Sequence, residues 1–225
     1  MKNQKYHISV FLLFCIIASY PVKSIKAQSE FGVKGGALYT GINKNIQSNV
    51  FDYEMRGGVT FGAFYKIHNL LGPIGLQAEL LYQFKGGNLY IEQTCNADAN
   101  NDGFPDYYGY YDKYSRPWLR KPALYHYLTL PVLITWSPVK FMDIYAGPEI
   151  GYMIANSSKG YPAWEPNRFS AGISAGVAFK IDENTKLDVR YSNDLTKLQD
   201  FGDTDIKNYG WAFTVQRTLF RKPAK

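Results

Sequence analysis

A chain of 225 residues, 46% hydrophobic and 20% charged, suits a single domain. Its formal net charge is +6, but Lys2, Lys5, Lys23 and Lys26 fall in the first 27 residues with no acid among them, so the remainder carries only +2. That removes the main support for a nucleic-acid partner, and Cys95, the only cysteine beyond residue 27, excludes a framework of internal disulfides.

The first 27 residues read as an export signal. Lys2 and Lys5 form a basic head, and residues 8–19 form an apolar run of signal-peptide length. That run is too short for a transmembrane helix. Cleavage is expected after Ala27, before Gln28, leaving a domain of residues 28–225.

Beyond that point alternation with period two recurs, and no long segment has helical periodicity. Eight strands are expected at about 31–40, 57–67, 73–86, 122–137, 141–155, 169–182, 185–195 and 208–220. The clearest is the sixth. Phe169, Ala171, Ile173, Ala175, Val177, Phe179 and Ile181 share one face, while Ser170, Gly172, Ser174, Gly176, Ala178 and Lys180 share the other.

The connections alternate in length. Short ones fall at 68–72, 137–140 and 182–184, and long ones at 41–56, 87–121, 156–168 and 196–207. Short periplasmic turns and long outer loops are the rhythm of an outer-membrane barrel. The expected fold is therefore all-β: an eight-stranded, antiparallel, up-and-down transmembrane barrel in the outer membrane, with lipid as its surroundings. A soluble barrel would need polarity along its outer face. Here the less apolar face carries Gly, Ala and Ser, which suit a crowded interior. The apolar face supplies Tyr82, Trp136, Tyr152 and Trp211 as girdle aromatics.

The same register turns Lys34, Lys66, Gln77, Glu79, Gln83, Glu149, Asp188 and Arg190 inward. Charges inside a narrow barrel must pair, since an unpaired buried charge is costly. Glu79 and Glu149 are expected to face Arg190 and a lysine. Eight strands leave room mainly for side chains, so an open diffusion pore is not expected. Catalysis is not expected either. Beyond residue 27 only His68 and His126 remain, His68 on a short turn and His126 near the outer end of the fourth strand. No sequence pattern gives His126 a serine and an acid.

The longest connection holds the sharpest local motif, Asp98-Ala-Asn-Asn-Asp-Gly-Phe-Pro-Asp106. Its first half matches an EF-hand-like loop. Asp98, Asn100 and Asp102 would supply oxygens at positions one, three and five, and Gly103 the turn at six. The Phe104 carbonyl would serve position seven and Asp106 position nine, making calcium the expected cofactor. Position twelve is Gly109, so Asp112 would have to swing in. The alternative is a solvated Asn/Asp turn. The run also resembles the calcium-binding repeats of thrombospondin type 3 modules. Tyr107, Tyr108, Tyr110, Tyr111, Tyr114 and Trp118 follow, residue types common in recognition surfaces.

Several segments together resemble the PorT-like outer-membrane β-barrel family of Bacteroidetes. Residues 31–36, Phe-Gly-Val-Lys-Gly-Gly, are similar to its glycine-rich opening strand. Residues 127–131, Tyr-Leu-Thr-Leu-Pro, follow its Tyr-Leu-Glu-Ile-Pro pattern, with Thr129 in place of the acid. Residues 145–151 are similar to its Ala-Gly-Pro strand, and residues 187–192 to its Asp-x-Arg-Tyr strand. The resemblance implies the same barrel and location, and an accessory place in a protein-secretion machine. Without it, the residues point to a non-enzymatic barrel that anchors, or binds a protein or surface ligand, through its outer loops. A barrel hydrolase is the third reading.

Overall fold

A computed structural model describes residues 28–44, 51–92, 118–157, 166–201 and 204–223. The chain forms β1 (Ser29–Lys44), β2 (Phe51–Leu71), β3 (Ile74–Glu92), β4 (Trp118–Val139), β5 (Met142–Asn156), β6 (Phe169–Lys180), β7 (Thr185–Asp194), β8 (Gln199–Phe201) and β9 (Thr204–Lys222). Consecutive strands pair antiparallel from β1 to β7, β7 pairs with β9, and β9 returns to β1. Eight strands thus close a ring, which leaves no edge and satisfies the backbone groups that lipid cannot. β8 stands outside the ring, paired only with β9. It lies in a connection expected to be plain loop, a short hairpin on which period-two alternation is too brief to read.

The two faces of the wall are inverted relative to a soluble protein. Phe61, Ile134, Ile173 and Phe213 point outward and are more than half exposed. Lys34, Lys66, Gln77, Glu79, Gln83, Glu149, Asp188 and Arg190 are all buried in the interior, as the alternation predicts. Trp136, Tyr152 and Trp211 are exposed on the outward face, and Tyr82 is half-buried there. Trp211 pairs with both Tyr39 and Tyr191, forming part of an outer aromatic belt.

Interior volume explains the small residues. Gly176 lies between Tyr145 and Arg190 across three strands. A Cβ there would run into the Tyr145 ring. The gap lets the ring lie toward Arg190, whose guanidinium carbon is 5.1 Å from the ring centroid.

Strand extents differ from expectation. β1 to β4 run well past the predicted outer ends, so residues assigned to loops at 41–44, 51–56, 87–92 and 118–121 are strand, Trp118 included. Alternation is present in Phe51, Tyr53 and Met55 against Asp52, Glu54 and Arg56, but Gly57-Gly58 and Gly86-Gly87 interrupt it where these extensions join the strands. Gly86, at φ 150°, marks the point where β3 changes course. There a Cβ would collide with the Ala123 carbonyl oxygen. Thr40 clamps the same residue, its hydroxyl donating to the Gly86 carbonyl at 2.9 Å.

Candidate functional site

Inside the wall, alternation delivers every second side chain to a shared lumen. Arg190 of β7 donates to Glu79 of β3 at 2.6 Å, and Gln77 donates to the same carboxylate at 2.6 Å. Lys34 of β1 sits 2.7 Å from Asp188 and 3.4 Å from Glu79. Asp188 also accepts from Thr214 at 2.8 Å, Gln216 at 3.1 Å and the Tyr145 hydroxyl. One continuous network therefore links β1, β3, β5, β7 and β9 across the barrel.

As expected, Glu79 faces Arg190 and a lysine, and a lysine also meets Glu149. Its partner is Lys85 at 3.0 Å, which also lies 3.8 Å from Asp194, and Ser174 donates to the other carboxylate oxygen. Lys85 and Asp194 were legible in principle. Lys85 shares the parity of Gln77, Glu79 and Gln83, and Asp194 that of Asp188 and Arg190.

Toward the outer end apolar side chains join the polar ones in the lumen. Ile42, Ala123, Tyr125, Tyr127, Met153, Leu198 and Ile206 pack into one buried cluster. Leu198 is carried in by the segment before β8, where its amide donates to the Ile206 carbonyl at 2.6 Å.

At the short-turn end His68 lies within β2 rather than on a turn, and its Nε2 is 3.0 Å from Glu30. Arg221 reaches the same carboxylate at 2.9 Å. It faces inward because β9 carries a bulge opposite Phe31 and Gly32 that resets its parity. Phe220 is thereby left outside, stacked on Phe31. Asp143, which strand parity also places inward, receives Lys66 at 2.7 Å, Lys186 at 2.9 Å and the Ser137 hydroxyl.

His126 is less isolated than expected. A register shift in β5 opposite His126 and Tyr127 brings Ser157 round to the outward face. Ser157 Oγ is 3.0 Å from His126 Nε2, and the Tyr82 hydroxyl bonds His126 Nδ1. The serine is therefore present after all. The third member is a phenol in place of the buried carboxylate that orients the histidine in a catalytic triad.

The five expected calcium ligands, Asp98, Asn100, Asp102, Phe104 and Asp106, lie outside the described residues, as do the signal segment 1–27 and Tyr107–Tyr114. Among the described residues no group of His, Cys, Asp and Glu is arranged to hold a metal.

Residues 24–200 match the sequence model of the family described as outer membrane protein beta-barrel domain. No curated protein matches the chain. Among solved structures, Neisserial surface protein A aligns over 85% of this chain and 99% of its own, at 9% identity and a TM-score of 0.48. Ail, the attachment invasion locus protein of Yersinia pestis, aligns over 87% and 99% at 13% identity and a TM-score of 0.46. OprG of Pseudomonas aeruginosa aligns over 85% and 96% at 8% identity and a TM-score of 0.45.

Proposed function

Since the chain belongs to the outer membrane protein beta-barrel domain family, we propose that it is a non-enzymatic outer-membrane barrel that anchors or engages partners through its outer connections. The observation that carries this reading is the uneven height of the wall. A membrane strand needs about 9–11 residues. β6 and β7 have 12 and 10, whereas β2, β3, β4 and β9 have 21, 19, 22 and 19. The adjacent β2, β3 and β4 thus extend past the lipid on the outer side as a group and lead into the connection 93–117. We take this projection as the working surface. The phenol beside His126 weighs against a hydrolase.

Calcium fits the same reading. Bound by Asp98, Asn100, Asp102, the Phe104 carbonyl and Asp106, it would hold the tyrosines that follow in a fixed display. Without a carboxylate at position twelve, affinity is expected in the range of about 10⁻⁴–10⁻³ M. Titration calorimetry of the refolded protein checks this against Asp98→Ala with Asp102→Ala. Equal heats up to millimolar calcium would reduce the loop to a polar turn.

The function itself is tested by pull-down from detergent-solubilised membranes. The full chain should retain partners that a variant lacking residues 93–117 loses. An identical partner set would refute an outer-loop role. Partners drawn from one secretion apparatus would favour the accessory role that the PorT-like resemblance implies.

A further inference from the structure

The short-turn mouth of the barrel holds a cavity of about 460 Å³, walled by the ends of β1, β2, β6, β7 and β9 and by the β4–β5 turn. We propose that this mouth is a binding site for a phosphate group presented from the periplasmic side. Five cations surround it or stand just beneath it, Lys66, Lys140, Lys180, Lys186 and Arg221, against two carboxylates, Glu30 and Asp143.

Both carboxylates already face cations of the protein itself. Glu30 Oε1 takes both the Nε and an Nη of Arg221, at 3.0 and 2.9 Å, and His68 and Lys186 approach its other oxygen. Asp143 holds Lys66, Lys186 and Ser137. Asp182, on the neighbouring turn, is occupied by the amides of Asn184 and Thr185. Lys140 and Lys180 remain on the cavity wall, exposed and without an ion-pair partner among the described residues.

A positive excess gathered in a concave site favours an anion of more than one charge. A phosphate ester offers up to two charges and three acceptor oxygens to lysines that bind it as point charges. Val139 and Phe141, both exposed, flank Lys140. They would lie against the acyl chains if the phosphate belongs to a lipid headgroup, while a free phosphate ester would use the lysines only.

The test uses ¹⁵N-labelled protein refolded in octyl glucoside, a phosphate-free detergent, in phosphate-free buffer. Two probes are titrated separately: sn-glycerol 3-phosphate and short-chain phosphatidylglycerol. Amides of residues 138–143 and 180–186 should shift saturably. Lys140→Gln with Lys180→Gln, both at exposed positions, should weaken binding about tenfold, as expected for two lost partly exposed ion pairs. Response to the soluble ester identifies a free phosphate, and response to the lipid alone identifies a headgroup. No saturable shift with either probe overturns the site. So does a double variant that titrates like the wild type, or equal weakening by Arg168→Gln at the opposite rim.

Discussion

The inward and outward faces of β6 are made from the same twelve residues, yet they follow opposite rules. Ser170 and Ser174 are buried, while Ile173 and Phe179 are about half exposed. In water that arrangement would unfold a protein. Here lipid is the solvent for one face, and a charged, hydrogen-bonded lumen is the interior for the other. Which way a position points therefore decides what a substitution costs, more than the residue's own polarity does.

The largest effect is expected in the lumen. Arg190→Leu leaves Glu79 and Asp188 to share Lys34, and should cost about 3–5 kcal/mol, as for one partner removed from a buried ion pair. Adding Glu79→Leu should recover much of that loss. Urea unfolding in bilayers reads both, and a double variant weaker than the single would break the pairing assignment.

On the other face Ile173→Arg should cost about 2–4 kcal/mol if it lies near the membrane midplane. Asn184→Arg in the exposed β6–β7 turn should stay within about 0.5 kcal/mol. Equal folding yields for the two would contradict the register.

Gly176→Leu sharpens the comparison within one face. It adds apolar bulk where the lumen is already filled by Tyr145, and overpacking of this kind costs about 1–3 kcal/mol. Ala175→Leu, one residue along and facing lipid, should be tolerated, which the same unfolding assay would show.

The smallest effect belongs to the turn outside both faces. Backbone amides of Asn184 and Thr185, with Arg217 farther off, hold the Asp182 carboxyl below its usual range. A depressed carboxyl stabilises the fold above its unfolded pKa, and that stability is lost as pH falls through the folded value. Asp182→Asn should therefore be slightly weaker than wild type at neutral pH and indistinguishable from it once acid has protonated the carboxyl in the folded state. A difference that grows on acidification would reverse the assignment.

Much of this was legible along the chain because a strand's side-chain period is local. Lys34, Glu79, Asp188 and Arg190 turn inward by parity alone, and the alternating short and long connections imply the closed antiparallel order. Parity also reaches Lys85 and Asp194, whose partners lie strands away. What it cannot supply is register. Whether Glu149 meets Arg190 or Lys85 depends on how far each strand slides past its neighbour, and that is settled by closing the whole ring. Bulges are equally non-local. The bulge in β9 turns Arg221 to Glu30, and the one in β5 turns Ser157 to His126, although neither residue's neighbours in sequence mark the change. The membrane class and the eight strands of the wall follow from period and connection length. The ion-pair network, the buried apolar cluster and the cationic mouth exist only where the strands of the ring meet, because each draws its members from strands that sequence keeps far apart.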